Sequence, residues 1–245
     1  MVEYNVKAEA EGDMQFRGGE TMTAAEQIYA LIYELVPLTI SLIGFIIGMV
    51  NILKKKAPYF FTLIIFAVGC FVIEQVSLAV NTVCEIYDTI WVGALGVFGC
   101  NLFLLSANYG ALDKVIDETG LTSGKKFLSL IAPTVLTVVT VITFFIWKDR
   151  DMLSAVVLTL IMIPAIPASY YNVKHLLLPE DDLGLLKAIK GCDIMSLVFF
   201  FMAVVHLFAI TIDSIPGIVI AEVLLALSVL GLALAAVKGV RRWKI

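Results

Sequence analysis

The amino-acid sequence predicts an all-α integral membrane protein, a bundle of seven transmembrane helices. Its 245 residues are 60% hydrophobic and only 16% charged, with a mean hydropathy of +0.98, which no ordinary soluble domain of this size approaches. Seven apolar runs are each long enough for a helix across a bilayer core, which needs about 20 residues. We therefore expect a multi-pass protein of the plasma membrane, in direct contact with the lipid bilayer.

The seven runs form one transmembrane domain, 27–238, between an acidic segment, 1–26, and a basic tail, 239–245. The runs are 27–53, 58–84, 90–112, 127–147, 152–173, 191–213 and 215–238. Turn residues in "TIDSIPG" separate the last two runs, so we expect two helices there rather than one. Pro164 and Pro167 predict a kink in the fifth run, which would free backbone carbonyls that a neighbour must satisfy.

The Lys and Arg residues predict the orientation of the bundle. Thirteen of them lie at the end that holds the chain's C-terminus, and four lie at the other end. Because cytoplasmic loops carry the excess of Lys and Arg, we expect the N-terminal segment to be extracellular and the tail to be cytoplasmic.

The second run contains a carboxylate where a lipid-facing helix would not keep one. Within "AVGCFVIEQVSLAVN", residues 67–81, Glu74 and Gln75 lie side by side. A charged side chain at this depth is costly unless it faces a polar cavity or finds a partner. Steps of three and four residues place Glu74 on one helix face with Ser77 and Asn81, so we expect this face to point into the bundle.

Other polar residues fall in the same outer half of the predicted bundle. His206 on the sixth run lies at a depth similar to that of Glu74, and Glu222 lies two turns into the seventh. Glu34 lies near the headgroup level, where simple hydration explains it equally well. The candidate ligand-binding or ion-binding residues are Glu34, Glu74, Gln75, Asn81, Asn101, His206, Asp213 and Glu222.

Two patterns favour packing over function. Gly44 and Gly48 form a small-xxx-small pair, which marks close approach of helices. Thr134, Thr137, Thr140 and Thr143 form a stripe whose hydroxyls can bond to their own helix backbone.

Three functions remain open. The leading interpretation is a small carrier or channel, whose outward-facing polar pocket binds a cation or a proton-coupled small solute. The alternative is a receptor that binds a small ligand in the same pocket and contacts a cytoplasmic partner through loops around Lys125 and 179–190. An intramembrane enzyme that uses Glu74 and His206 as acid and base is the weakest reading, so we expect no enzyme. The segment 179–190 itself predicts a short interfacial helix, because acidic residues open it and lysines close it.

Composition and spacing exclude other classes. The chain has two histidines, and one of them, His175, falls on the cytoplasmic side, so we expect no metal site. The only lysine of the seventh run, Lys238, lies at its cytoplasmic end, which gives no support to a retinal Schiff base, and we expect no cofactor. The small net charge of −4 gives no reason to expect nucleic acid as a partner. Assembly into a homo-oligomer is left open.

The orientation gives a first testable prediction. If Lys55 is replaced by cysteine, the new thiol is expected to be protected from an impermeant maleimide added to intact cells and to react after the cells are permeabilised. Lys148→Cys, at the opposite end, should react in intact cells. Labelling of the Lys55→Cys variant from outside would reverse the whole topology.

Overall fold

The computed structural model describes residues 24–84, 90–116, 123–178, 185–212 and 214–242 of the chain. All regular elements in these ranges are α-helices. They are α1 (Ala24–Lys55), α2 (Tyr59–Cys84), α3 (Ile90–Ile116), α4 (Ser123–Ser129), α5 (Ile131–Trp147), α6 (Met152–Met162), α7 (Ala165–Leu177), α8 (Leu185–Thr211) and α9 (Ile215–Arg242). Most of the predicted N-terminal segment lies outside the described residues.

The described helices have the length and composition of a membrane bundle. Six continuous stretches are long and apolar enough to cross a membrane, and a shorter apolar helix, Gly93–Tyr109, lies within α3. All seven predicted runs overlap these stretches. The helical, polytopic character is therefore clear, while the number of spans and their orientation stay predictions.

At two places a described helix extends beyond the predicted run. Residues 185–190 of the expected interfacial helix at 179–190 belong to α8, which is continuous from Leu185 to Thr211, and 179–184 lie outside the described residues. Ile189 on this first stretch is fully buried, and Ala188 packs so closely on α9 that a Cβ at Gly239 would lie 2.9 Å from its carbonyl oxygen. The predicted tail, 239–245, is also partly helical, since α9 continues to Arg242.

The predicted kink in the fifth run is confirmed. The run divides into α6 and α7, which are separated at Ile163 and Pro164. The side-chain amide of Asn101 on α3 donates to the carbonyl of Ile161 at 2.9 Å. A neighbouring helix thus satisfies a backbone oxygen at the break, as a membrane interior requires.

Helices α2 and α9 form the centre of the bundle. In each of these spans half of the residues are buried. Helix α1 packs against both: a Cβ added to Gly44 would lie 3.3 Å from Leu230 Cα, and one at Gly48 would overlap Ile65. The packing interpretation of this glycine pair is confirmed.

The threonine pattern on α5 is also structural. Thr137 donates its hydroxyl to the carbonyl of Pro133 at 2.8 Å, and Thr140 donates to Leu136 at 2.7 Å. Both hydroxyls therefore bond within their own helix, as predicted.

Helices α2 and α3 touch backbone to backbone. Three glycines, Gly93, Gly96 and Gly99, recur at every third position of α3 and face α2. A Cβ at Gly96 would lie 2.8 Å from both the carbonyl oxygen of Cys70 and the amide nitrogen of Glu74. This contact fixes the position of the Glu74 backbone against α3.

The glycine contact gives a second prediction. Gly96→Ala should lower the free energy of unfolding by about 1–3 kcal/mol, because the new methyl group overlaps backbone atoms that cannot rotate away. Thermal unfolding in detergent micelles, followed by circular dichroism, measures the loss. Gly191→Ala on α8 is the matched control, since its nearest neighbour would be Ala235 Cβ at an ordinary 3.7 Å. Equal stability of the two variants would show that α2 and α3 do not touch at Gly96.

Candidate functional site

The Glu222 carboxylate on α9 is the centre of a buried polar cluster. Its Oε1 accepts a hydrogen bond from Gln75 Nε2 on α2 at 2.7 Å. Its Oε2 lies 3.2 Å from His206 Nδ1 on α8. Glu222 is completely buried and Gln75 is 1% exposed, whereas the His206 side chain is 17% exposed and forms the edge of the cluster. Three helices thus meet at one carboxylate.

Glu74 adds a second carboxylate to this cluster. It directly precedes Gln75 on α2 and lies against the glycines of α3. It interacts electrostatically with Glu222 and with the amide of Gln75. Successive residues on a helix point about 100° apart, so Glu74 faces α3 while Gln75 faces α9. We name Glu74, Gln75, His206 and Glu222 the outer cluster, because they lie in the half of the bundle predicted to be outside.

The outer cluster has more negative than positive groups. It holds two carboxylates and one imidazole, which lies beside Glu222. Three buried atoms of the cluster, Glu74 Oε2, His206 Nε2 and Glu222 Oε2, have no hydrogen-bond partner among the described residues. A buried carboxylate is stable only when a proton, a cation or several donors compensate its charge. The arrangement can therefore hold a proton or a small cation.

The structure brings together four of the eight residues predicted from the sequence. The sequence predicts Glu74 and His206 at a similar depth, but the ionic partner of His206 is Glu222, which itself interacts electrostatically with Glu74. Asn101 lies elsewhere, at the break before α7. Glu34 on α1 makes no hydrogen bond or ion pair with the outer cluster in the part of the chain described. The side chain of Asn81 and all of Asp213 lie outside that part.

A second histidine–carboxylate pair, which sequence reasoning missed, lies in the other half of the bundle. His175 Nδ1 on α7 is 3.4 Å from Asp193 Oδ2 on α8, and both side chains are 1% exposed. Lys190 interacts electrostatically with Asp193 and donates to the carbonyl of Leu178 at 3.2 Å. We name His175 and Asp193 the inner pair. If 185–211 had been predicted as one continuous helix, the sequence would have indicated this pair, because Asp193 then lies two turns inside the span.

Two buried amides lie next to the inner pair along α7. Asn108 on α3 donates through its Nδ2 to Oδ1 of Asn172 on α7. Both residues are essentially inaccessible. Asn172 and His175 are three residues apart, so they share one face of the helix.

The comparisons with known proteins add no identity to this geometry. Neither the protein-family models, nor the curated proteins, nor the solved structures include one that matches the chain. The function therefore has to be argued from the buried polar groups themselves.

The hydrogen bond between Gln75 and Glu222 gives a third prediction. Gln75→Leu removes the donor and leaves a buried carboxylate oxygen unpaired, which is expected to cost about 1–3 kcal/mol of unfolding free energy. Thermal unfolding in micelles measures it. Val76→Leu is the control, because Val76 is the next residue on α2 but is exposed on the bundle surface. If Gln75→Leu unfolds with the control, Glu222 does not depend on Gln75.

Proposed function

We propose that the protein is a carrier or channel of the plasma membrane that moves a cation, or a small solute coupled to a proton. The outer cluster is the proposed binding site for the cation or proton. The observation that carries this proposal is the charge balance of the cluster: the carboxylates of Glu74 and Glu222 interact electrostatically, and the single imidazole, of His206, pairs with Glu222. An added proton or cation compensates the charge of the second carboxylate. Binding of a proton therefore changes the affinity of the site for the cation, and binding of the cation changes its affinity for the proton.

The burial of the cluster favours a carrier over an open pore. Glu222 and Gln75 are enclosed by helices, so a ligand reaches them only when α8 or α9 moves. Phe71 lies one turn before Gln75 on α2. Its ring packs edge-on against that of Phe199 on α8, with 6.0 Å between the ring centroids. These rings close the space between α2 and α8 on the side predicted to face the cytoplasm.

In this proposal, the angle between α8 and α9 changes at the link that joins them. This link is short, and Ser214 starts α9 by accepting hydrogen bonds from the amides of Gly217, at 3.3 Å to its hydroxyl, and Ile218, at 2.8 Å to its carbonyl. His206 and Glu222 lie on the two helices that this link joins. A change in the angle between α8 and α9 would therefore open or close the contact between the imidazole and the carboxylate.

Transport measurements on Glu222→Gln test the proposal. The amide keeps the volume of the side chain and the bond to Gln75, but it cannot ionise. In proteoliposomes that contain a pH-sensitive dye, proton-coupled uptake is expected to fall about tenfold or more, the size of one lost charge-assisted hydrogen bond. The probes are protons and labelled sodium, potassium and ammonium ions.

Ser228→Ala is the matched control for this experiment. Ser228 is a buried residue of α9 whose hydroxyl donates to Leu225 of the same helix at 2.6 Å, so its loss leaves the outer cluster intact. Uptake equal in wild type and Glu222→Gln would contradict the proposed role of the carboxylate. If the wild type moves none of the probes but a small ligand raises its unfolding temperature, the receptor interpretation replaces the carrier.

A further inference from the structure

Buried polar atoms without a hydrogen-bond partner occur at the outer cluster, at the inner pair and on the helices that connect them. Seven such side-chain atoms occur among the described residues. They belong to Glu74, Asn101, Asn108, Asn172, Asp193, His206 and Glu222. Three of these residues are in the outer cluster, one is in the inner pair, and the three asparagines are on α3 and α7. Buried polar atoms of a folded protein normally have a partner, so these seven need an explanation.

Helix α3 sets the order of these atoms. Glu74 packs against α3 at Gly96, and Cys100 lies one turn further along α3. Asn101 follows directly, and Asn108 lies two turns further, at about 10 Å. Asn108 bonds to Asn172 of α7. Asn172 then leads to the inner pair, one turn further along α7.

Bulky apolar side chains fill most of the neighbouring space. Between α2, α8 and α9 the buried residues below the outer cluster include Phe71, Phe199, Phe200, Leu225 and Val229, together with the hydroxyls of Ser196 and Ser228. Along α3, in contrast, Asn101 meets the exposed carbonyl at the break between α6 and α7. A polar connection between the two halves of the bundle therefore follows α3 and α7.

Ordered water is the partner that such atoms take in protein interiors. Buried waters each make about three hydrogen bonds to polar groups that the protein leaves unsatisfied. An amide side chain orients water but does not exchange its own protons for transport, whereas carboxylates and imidazoles accept and release protons. The asparagines thus suit a water path, and the two histidine–carboxylate groups suit its ends.

We propose that a file of water molecules follows α3 from the outer cluster to the inner pair, and that His175 and Asp193 form a second proton-binding site. This inference rests on the proposed function for its direction of transport. One proton enters at Glu222 or Glu74, the water file passes a proton along its hydrogen bonds, and one proton leaves from Asp193 or His175. Only O–H and N–H bonds form and break, and no electrons are transferred.

The groups around the inner pair fit a site that exchanges protons. His175 Nδ1 lies 3.4 Å from Asp193 Oδ2, and both side chains are 1% exposed. Lys190 interacts electrostatically with Asp193, and Lys174 on α7 is buried, with its Nζ 5.8 Å from the ring centre of Tyr171. A proton bound at Asp193 therefore has the imidazole of His175 as a neighbouring acceptor.

Cysteine reactivity tests the water file without any need for transport. In a variant with Cys70, Cys84, Cys100 and Cys192 replaced by alanine, Asn101→Cys and Asn108→Cys are introduced singly. The thiolate, which forms readily only where water is present, attacks small charged thiosulfonate reagents, forms a disulfide and displaces sulfinate. Both thiols should react about tenfold or more faster than that of Ser106→Cys, since Ser106 is on the same helix but is exposed on the bundle surface and bonds to its own backbone.

Proton flux tests the path and its inner site. In dye-loaded proteoliposomes driven by a potassium diffusion potential, Asn108→Leu and Asp193→Asn should slow proton entry about tenfold or more, and Ser106→Leu should not. Asn108→Ser keeps a polar side chain and space for water, so it should retain flux even if Asn108→Leu folds poorly. Circular dichroism of each variant separates loss of flux from loss of structure.

The outcomes distinguish this inference from the proposed function. If Asn101→Cys and Asn108→Cys react no faster than Ser106→Cys, the water file is wrong whether or not the protein transports. If they react but wild type moves neither protons nor ions, the file stands and the proposed function, with its proton step, is wrong. If wild-type flux needs Glu222 but survives Asn108→Leu and Asp193→Asn, the function stands and the inner proton site is wrong.

Discussion

The burial of the Glu222 carboxylate is the constraint on which the bundle depends. An enclosed carboxylate needs donors and a compensating charge, and Gln75 on α2 and His206 on α8 supply them. Each of these helices must therefore present one particular face to α9. Once Gln75 faces α9, Glu74 must face α3, and the glycines of α3 let that helix come close enough to cover it. One buried charge thus sets the rotation of three helices and the spacing of a fourth.

The same burial separates a structural network from a functional one. A network that only held helices together would gain most by pairing every polar atom, because each unpaired atom costs stability. The glycine contacts of α1 and the hydroxyl bonds of Thr137 and Thr140 are of this fully satisfied kind. Glu74 and the asparagines of α3 instead have buried oxygens that accept no hydrogen bond from any described residue. That unused capacity is the argument for a ligand, a proton or water at these places.

Hydropathy was enough to predict the helices and the depth of Glu74, His206 and Glu222, because a polar residue within an apolar run stands out against its neighbours. It was not enough to predict which of them touch. The contacts depend on the rotation and packing of the helices, which place His206 beside Glu222 rather than beside Glu74. The inner pair was missed for a different reason: 179–190 was predicted as a short interfacial helix, so Asp193 was placed at the start of the sixth run, 191–213. Only tertiary packing of Ala188 and Ile189 shows that the span begins earlier.

Helix α8 contributes to both histidine–carboxylate groups, and this connects them mechanically. His206 and Asp193 are thirteen residues apart on α8, which places them about 20 Å apart along one rigid helix. Each has its partner on a different neighbour, Glu222 on α9 and His175 on α7. A tilt of α8 about the packed rings of Phe199 and Phe200 would lengthen one contact as it shortened the other. In the proposed carrier, such a tilt would expose the outer cluster and the inner pair in turn, because the pivot lies between them and stays apolar.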